Sequence, residues 1–184
     1  MIRKILAACA LLFAFSIPAV AAPTGDTGFY FGADAVYDGL SLKSGVVAKT
    51  PNALYGVNLY GGHELLQGVA VEVGYTGVYS SASLASATEQ GVHADVVLRV
   101  PLTDSLDLKA LGGVNYVASA AHVIDFNAFA TYRSFNWGWH IAAGPELTIA
   151  SDLGLRVLAG YQQGGFGPAG NGDLTVSAGL AWHV

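Results

Sequence analysis

The 184-residue chain has one cysteine and six prolines, and only 11% of its residues carry charge. Soluble domains usually carry about 25%. A chain that is 53% hydrophobic, with mean hydropathy +0.47, either meets lipid or buries nearly all of its side chains. Yet beyond the N-terminal region it has no apolar run of the roughly 20 residues a transmembrane helix needs. Its 24 glycines argue further against long helices, since each costs about 1 kcal/mol in a helix interior. The one cysteine, Cys9, lies in the leader described next, so a processed chain would have no disulfide and no cysteine-ligated metal. Cationic residues are few: eight Lys and Arg against thirteen Asp and Glu give a formal charge of −5, which offers nucleic acid no basic patch.

The N-terminus reads as an export signal. Arg3 and Lys4 form a positive region, Ile5 to Ile17 an apolar one, and Ala19-Val20-Ala21 an A-x-A cleavage site. Cutting one residue later would leave Pro23 at the first mature position, so the expected division is a signal peptide over residues 1–21 and a mature domain over 22–184. Leu6-Ala7-Ala8-Cys9 is passed over as a lipoprotein box because almost no apolar stretch precedes it. Removal of the leader takes two cations and brings the net charge from −5 to −7.

In the mature region apolar residues recur at every second position, the pattern of strands with two unlike faces. Eight such segments follow one another: 28–38, 53–62, 69–79, 90–100, 106–117, 135–149, 153–162 and 173–184. The third sets Val69, Val71, Val73, Tyr75 and Tyr79 against Ala70, Glu72, Gly74 and Thr76. The fourth sets Val92, Ala94, Val96, Leu98 and Val100 against His93, Asp95 and Arg99. Most are near the 9–11 residues of a tilted membrane strand, and an even number suits a closed antiparallel barrel with both ends on one side. The connections alternate in length. Gly39 to Asn52, Ser80 to Glu89, Ala118 to Ser134 and Gln163 to Gly172 are longer than His63 to Gly68, Pro101 to Ser105 and Ala150 to Asp152. Short inner turns and long outer loops are the habit of outer-membrane barrels. The expected fold is therefore an all-β, eight-stranded, up-and-down transmembrane barrel.

The two faces differ in chemistry. The apolar one is essentially uncharged, as a lipid-facing surface has to be. An up-and-down path puts Tyr37, Tyr55, Tyr75, Tyr79, Tyr116, Trp137, Trp139 and Tyr161 near the outer strand ends, and Phe29, Phe31 and Trp182 near the inner ends, as two aromatic girdles. The opposite face is mostly small or polar and carries Asp34, Glu72, Asp95, Arg99, Lys109, Glu146 and Arg156, together with His140. Enclosed charges need partners, so these are expected to form an ion network in the lumen. Glu72 and Arg156 sit four strands apart and would face each other across an eight-stranded lumen.

Three stretches resemble the transmembrane domain of the OmpA-like barrels. They are Leu59-Tyr60-Gly61-Gly62 with Val71-Glu72-Val73-Gly74-Tyr75, Pro101 to Leu108 with Leu111-Gly112-Gly113, and Gly144-Pro145-Glu146-Leu147 with Leu155-Arg156-Val157. The resemblance implies an outer-membrane barrel bathed in lipid and lipopolysaccharide, and no cofactor is expected. It implies that Glu72 and Arg156 form a gate pair. It also implies that the C-terminal pattern Ser177-x-Gly179-x-x-Trp182-x-Val184 is read by the barrel-assembly machinery. The chain departs from the family in ending on Val184 where Phe is usual, in a strand after Pro101 one residue shorter, and in having no peptidoglycan-binding domain after the barrel.

Other functions are weaker on these residues. A lipid-modifying barrel enzyme would need a nucleophile and base near the outer leaflet; Ser119, His122 and His140 are the nearest candidates and show no compelling spacing. The five histidines are scattered, so no metal-ligand cluster is expected. Gly164-Gly165-Phe166-Gly167 lies between strands, not before a helix, which excludes a nucleotide-binding turn. A soluble periplasmic barrel that binds a ligand would place the apolar face inward and surround it with Lys and Glu, which the other face lacks. A surface-binding role would rest on the longest loop, with Phe126, Phe129, Tyr132 and Arg133. An envelope-structural or surface-interaction protein, with at most a narrow gated pore and no catalytic residues, is the expected function. Protein isolated from the membrane fraction is expected to begin at Ala22 on N-terminal sequencing; an intact Met1 end would contradict the leader assignment.

Overall fold

The computed structural model describes residues 28–39, 53–82, 85–125, 128–163 and 172–184. They form eight strands: β1 (Phe29–Gly39), β2 (Leu54–Leu66), β3 (Val69–Ala82), β4 (Ala85–Pro101), β5 (Leu106–Asp125), β6 (Ala128–Ala150), β7 (Leu153–Gln163) and β8 (Gly172–His183). Each pairs antiparallel with the next, and β1 pairs with β8 from Tyr30↔His183 to Gly39↔Leu174, closing the sheet. Closure matters in hydrocarbon because no water is present to satisfy an edge strand's N–H and C=O groups.

Strand alternation sorts the side chains as the hydropathy pattern requires. Val71, Val73, Val96, Val114 and Leu155 point outward, and Val73 is 63% exposed. Glu72 and Arg156, each one residue along, are 1% exposed. The chain is thus inside-out relative to a water-soluble barrel, with its ions enclosed and its valines and leucines on the exterior.

The inner turns are short. Gly68 closes the β2–β3 turn with φ at +75°, a left-handed conformation that favours glycine, and its N–H donates to Glu64 Oε1 at 2.8 Å. Ser151 and Asp152 link β6 to β7, and Asp152 Oδ2 accepts from Trp182 Nε1 at 3.0 Å. On the outer side two expected loops are replaced by strand. Ser80 to Glu89 is largely hairpin, with only residues 83–84 between β3 and β4, and Ala118 to Ser134 continues the β5–β6 ladder out to Asp125↔Ala128. Weak Ala- and Ser-rich alternation in these stretches hides the strand: Val117, Ser119 and Ala121 keep pointing inward and are 3–4% exposed. The outer loops 40–52 and 164–171, the leader, Phe126, and the side chains of Phe129 and Tyr132 lie outside the described residues.

An eight-stranded barrel is just wide enough for its own side chains to fill. Toward the inner end Tyr30, Tyr60, Ala70, Val97, Leu111, Leu158 and Ala181 pack as one cluster; toward the outer end Val36, Leu54, Val78 and Ala87 form a second. The inward face is therefore more apolar than its glycines, alanines and serines suggest, and the enclosed charges lie between two small hydrophobic plugs. Val73→Arg, on the mid-strand exterior, is expected to lower unfolding free energy in lipid vesicles by about 2–4 kcal/mol, against about 0–1 for Leu102→Arg at the inner rim. Denaturant titration measures both, and equal costs would contradict the outward-facing assignment.

Candidate functional site: the lumen

Arg156 is the hub of the interior. Its Nη1 donates to Glu72 Oε2 at 3.0 Å from across the barrel, which brings together the two residues of the expected pair. Asp34 joins the same guanidinium: Nε donates to Oδ1 at 3.0 Å and Nη2 to Oδ2 at 2.6 Å. A planar fork with five N–H donors suits two carboxylates at once, where an ammonium could not hold both in fixed geometry. Tyr60 lies flat against this group, with Arg156 Cζ 3.3 Å from the ring centroid. The Tyr60 hydroxyl donates to the Leu180 carbonyl at 3.0 Å, in space left by Gly32, where any Cβ would collide with that ring.

Below this layer Lys109 Nζ pairs with Glu146 Oε2 at 2.6 Å, and His183 Nε2 lies 3.1 Å from Oε1 of the same carboxylate. Lys109 also sits 5.1 Å from the centre of the Tyr30 ring. Tyr30 and Tyr60 thus lie between the two cations, with ring centroids 6.3 Å apart. Arg99, at the inner rim and partly exposed, pairs with Asp107 at 2.8 Å and Glu64 at 3.8 Å, apart from the central network. The expected single network is therefore three groups: a clamp on Arg156, a Lys109–Glu146–His183 layer, and a rim pair.

Asp95 reaches the Arg156 clamp only through His93 and Asn58, and among the described residues it touches no Lys or Arg. Its carboxylate lies between two imidazoles, with His93 Nδ1 2.6 Å from Oδ2 and His140 Nε2 2.9 Å from Oδ1. This corrects the reading that the histidines are scattered. His93, Asp95 and His140 each place a ligand-type atom within 4.8 Å of the others. The register shows how. Asp95 pairs with Gly113 on β5 and Gly113 with His140 on β6, and a Cβ at Gly113 would strike Asp95 Oδ1. With no side chain between them, residues two strands apart meet. The x-Asp pattern His93-Ala94-Asp95 was visible in sequence; the missing Gly113 side chain that admits His140 was the unread signal.

Two cavities lie on either side of the Arg156 layer. One of about 90 Å³ reaches Asp38, Glu89 and the His93–Asp95–His140 group on the outer side. One of about 20 Å³ lies among Tyr30, Arg99, Lys109 and His183 on the inner side. The catalytic alternative finds no support here. Ser119 Oγ donates to Glu89 Oε2 at 3.2 Å inside the barrel, while His122 is exposed and bonds Thr131.

On the exterior, Tyr37, Tyr55 and Tyr79 form one register row across β1, β2 and β3. Tyr116 packs at a tilt against Trp137 with centroids 5.0 Å apart, Trp139 likewise against Tyr161 at 5.5 Å, and Tyr75 and Trp182 also face outward, 43% and 45% exposed.

Comparison with known proteins agrees with this architecture. The neisserial surface protein A structure superposes with a TM-score of 0.59 at 18% identity, covering 86% of this chain and 98% of that one. Ail, the attachment invasion locus protein of Yersinia pestis, gives 0.57 at 12% identity, with 86% and 100% covered. OprG of Pseudomonas aeruginosa gives 0.57 at 12%, with 87% and 97% covered. No curated protein sequence matches. The outer membrane protein β-barrel domain family matches residues 7–183, nearly the whole chain, and to that family this outer-membrane protein belongs.

Proposed function

We propose that this barrel acts at the cell surface as a non-enzymatic envelope protein, with its lumen shut by the Glu72–Arg156–Asp34 clamp. The observation that carries this reading is the clamp itself: three fully enclosed charged groups and the Tyr60 ring occupy the cross-section between the two cavities. A lumen closed in this way leaves the outer rim as the working surface. There the β5–β6 hairpin continues about nine residues past Tyr116 and Trp137, roughly 20 Å of height for a tilted strand. Arg133 and Phe135 are exposed on it. The attachment named for Ail is in keeping with a role at this rim.

The outward tyrosines and tryptophans serve in this reading as interface girdles against lipid headgroups and lipopolysaccharide, export is accompanied by cleavage after Ala21, and the C-terminal strand is the element offered to the assembly machinery. A lipid-modifying reaction is set aside because Ser119 and His122 point to opposite sides of the wall. The clamp can be tested by planar-bilayer conductance. Wild type is expected to pass little current, and Arg156→Ala to raise it several-fold, since it removes the group that fills the constriction. Unchanged conductance in a variant that still shows a heat-dependent gel shift would overturn the closed-lumen reading.

A further inference from the structure

We propose that His93, Asp95 and His140 form a binding site for a borderline divalent transition ion of the Zn²⁺ class, reached from the outer side of the lumen. The argument starts from hydrogen-bond bookkeeping around His93. Asn58 Oδ1 accepts from Thr76 Oγ1 at 3.0 Å, and Asn58 Nδ2 points to Asp34 Oδ2 at 3.4 Å, which fixes the amide with its oxygen toward His93. His93 Nε2 lies 3.0 Å from that oxygen and has to be the donor. In a neutral imidazole this leaves Nδ1 with a lone pair, yet Nδ1 stands 2.6 Å from a carboxylate oxygen of Asp95. Two lone-pair atoms this close have to share a second proton, and a metal ion, with ligand bonds of about 2.0–2.2 Å, would take that proton's place by widening the gap.

His140 favours the metal. Its Nε2 is 2.9 Å from the other Asp95 oxygen, but the ring does not direct an N–H along that line, and Asp95 Oδ1 accepts no hydrogen bond. The two rings stand nearly perpendicular at 87°, with centroids 5.3 Å apart. Two imidazoles and one carboxylate are the donor set that suits Zn²⁺ or Cu²⁺ and not Mg²⁺ or Ca²⁺, which take oxygen. Asn58 supplies the outer contact that holds a ligating imidazole in the correct tautomer.

Two features of the surroundings point the same way. The cavity of about 90 Å³ beside the three residues has room for water at an open coordination position. Asn115, the register partner of His93, lines that cavity with its Oδ1 buried and unbonded. The outer lumen is also rich in carboxyl groups. Asp38 and Glu89 are enclosed there and share the Gln162 amide as donor, and among the described residues no Lys or Arg reaches them. Buried carboxyl groups without a cation can give up their protons to an entering divalent ion.

The test uses tag-free protein folded in detergent and washed with chelator. Isothermal titration with Zn²⁺ is expected to show one site per barrel, and X-ray absorption at the zinc edge to show imidazole scattering. His93→Gln and His140→Gln should each weaken binding by more than about tenfold, and Asn58→Ala by about tenfold, while His122→Gln binds as wild type does. Folded wild type that takes up no stoichiometric zinc, or Gln variants that bind undiminished, would overturn the site. Should the variants fail to show the heat-dependent gel shift, absorption on wild type decides alone: a shell of oxygen only rejects the proposal.

Discussion

Every backbone N–H and C=O in hydrocarbon has to find its partner within the protein, and from that constraint the rest of this structure follows. A sheet satisfies it only by closing, which β1 and β8 do. Closure at eight strands fixes a narrow interior, and alternation then leaves each strand one face for lipid and one for that interior. The charges have nowhere else to go. Once enclosed they cannot stand alone, so Arg156 gathers Asp34 and Glu72, and Lys109 gathers Glu146. Removing one member of such a group leaves an uncompensated buried charge, typically worth about 3–5 kcal/mol. The clamp is thus a consequence of the wall, and in the proposed reading it shuts the lumen that the wall creates.

Much of this was legible from residue types alone. The strand number and order, both faces and the inner turns follow from period-two hydropathy, because burial on one side of a pleat acts on every second residue. Facing of Glu72 and Arg156 follows from counting strands. The errors have physical causes. The β3–β4 and β5–β6 hairpins extend through Ser80 to Glu89 and Ala118 to Ser134, where small residues give alternation too little contrast to read. Asp34 reaches Arg156, and His140 reaches Asp95, through strand register and through glycines that leave space for a neighbour's side chain. Contacts across two or four strands are set by register and by missing side chains, neither of which hydropathy reports.

The interior divides by ligand chemistry. Guanidinium and ammonium neutralise the carboxylates at the waist, whereas in the outer half imidazoles and amides face them. One continuous chain of contacts runs from Glu72 through Arg156, Asp34, Asn58 and His93 to Asp95 and His140. This split, with cations at the waist and carboxyl groups facing imidazoles and amides above it, is what the proposed closed lumen and outer-rim role rest on.

The central claim is that the uncharged face meets acyl chains while the ionic groups are enclosed. A processed chain has no cysteine of its own, so single cysteines can be placed at Val73, Val96, Val114 and Leu155 and spin-labelled in lipid vesicles. The account predicts fast relaxation by oxygen dissolved in the bilayer and protection from a water-soluble nickel chelate at all four. Labels open to the chelate and shielded from oxygen would contradict it.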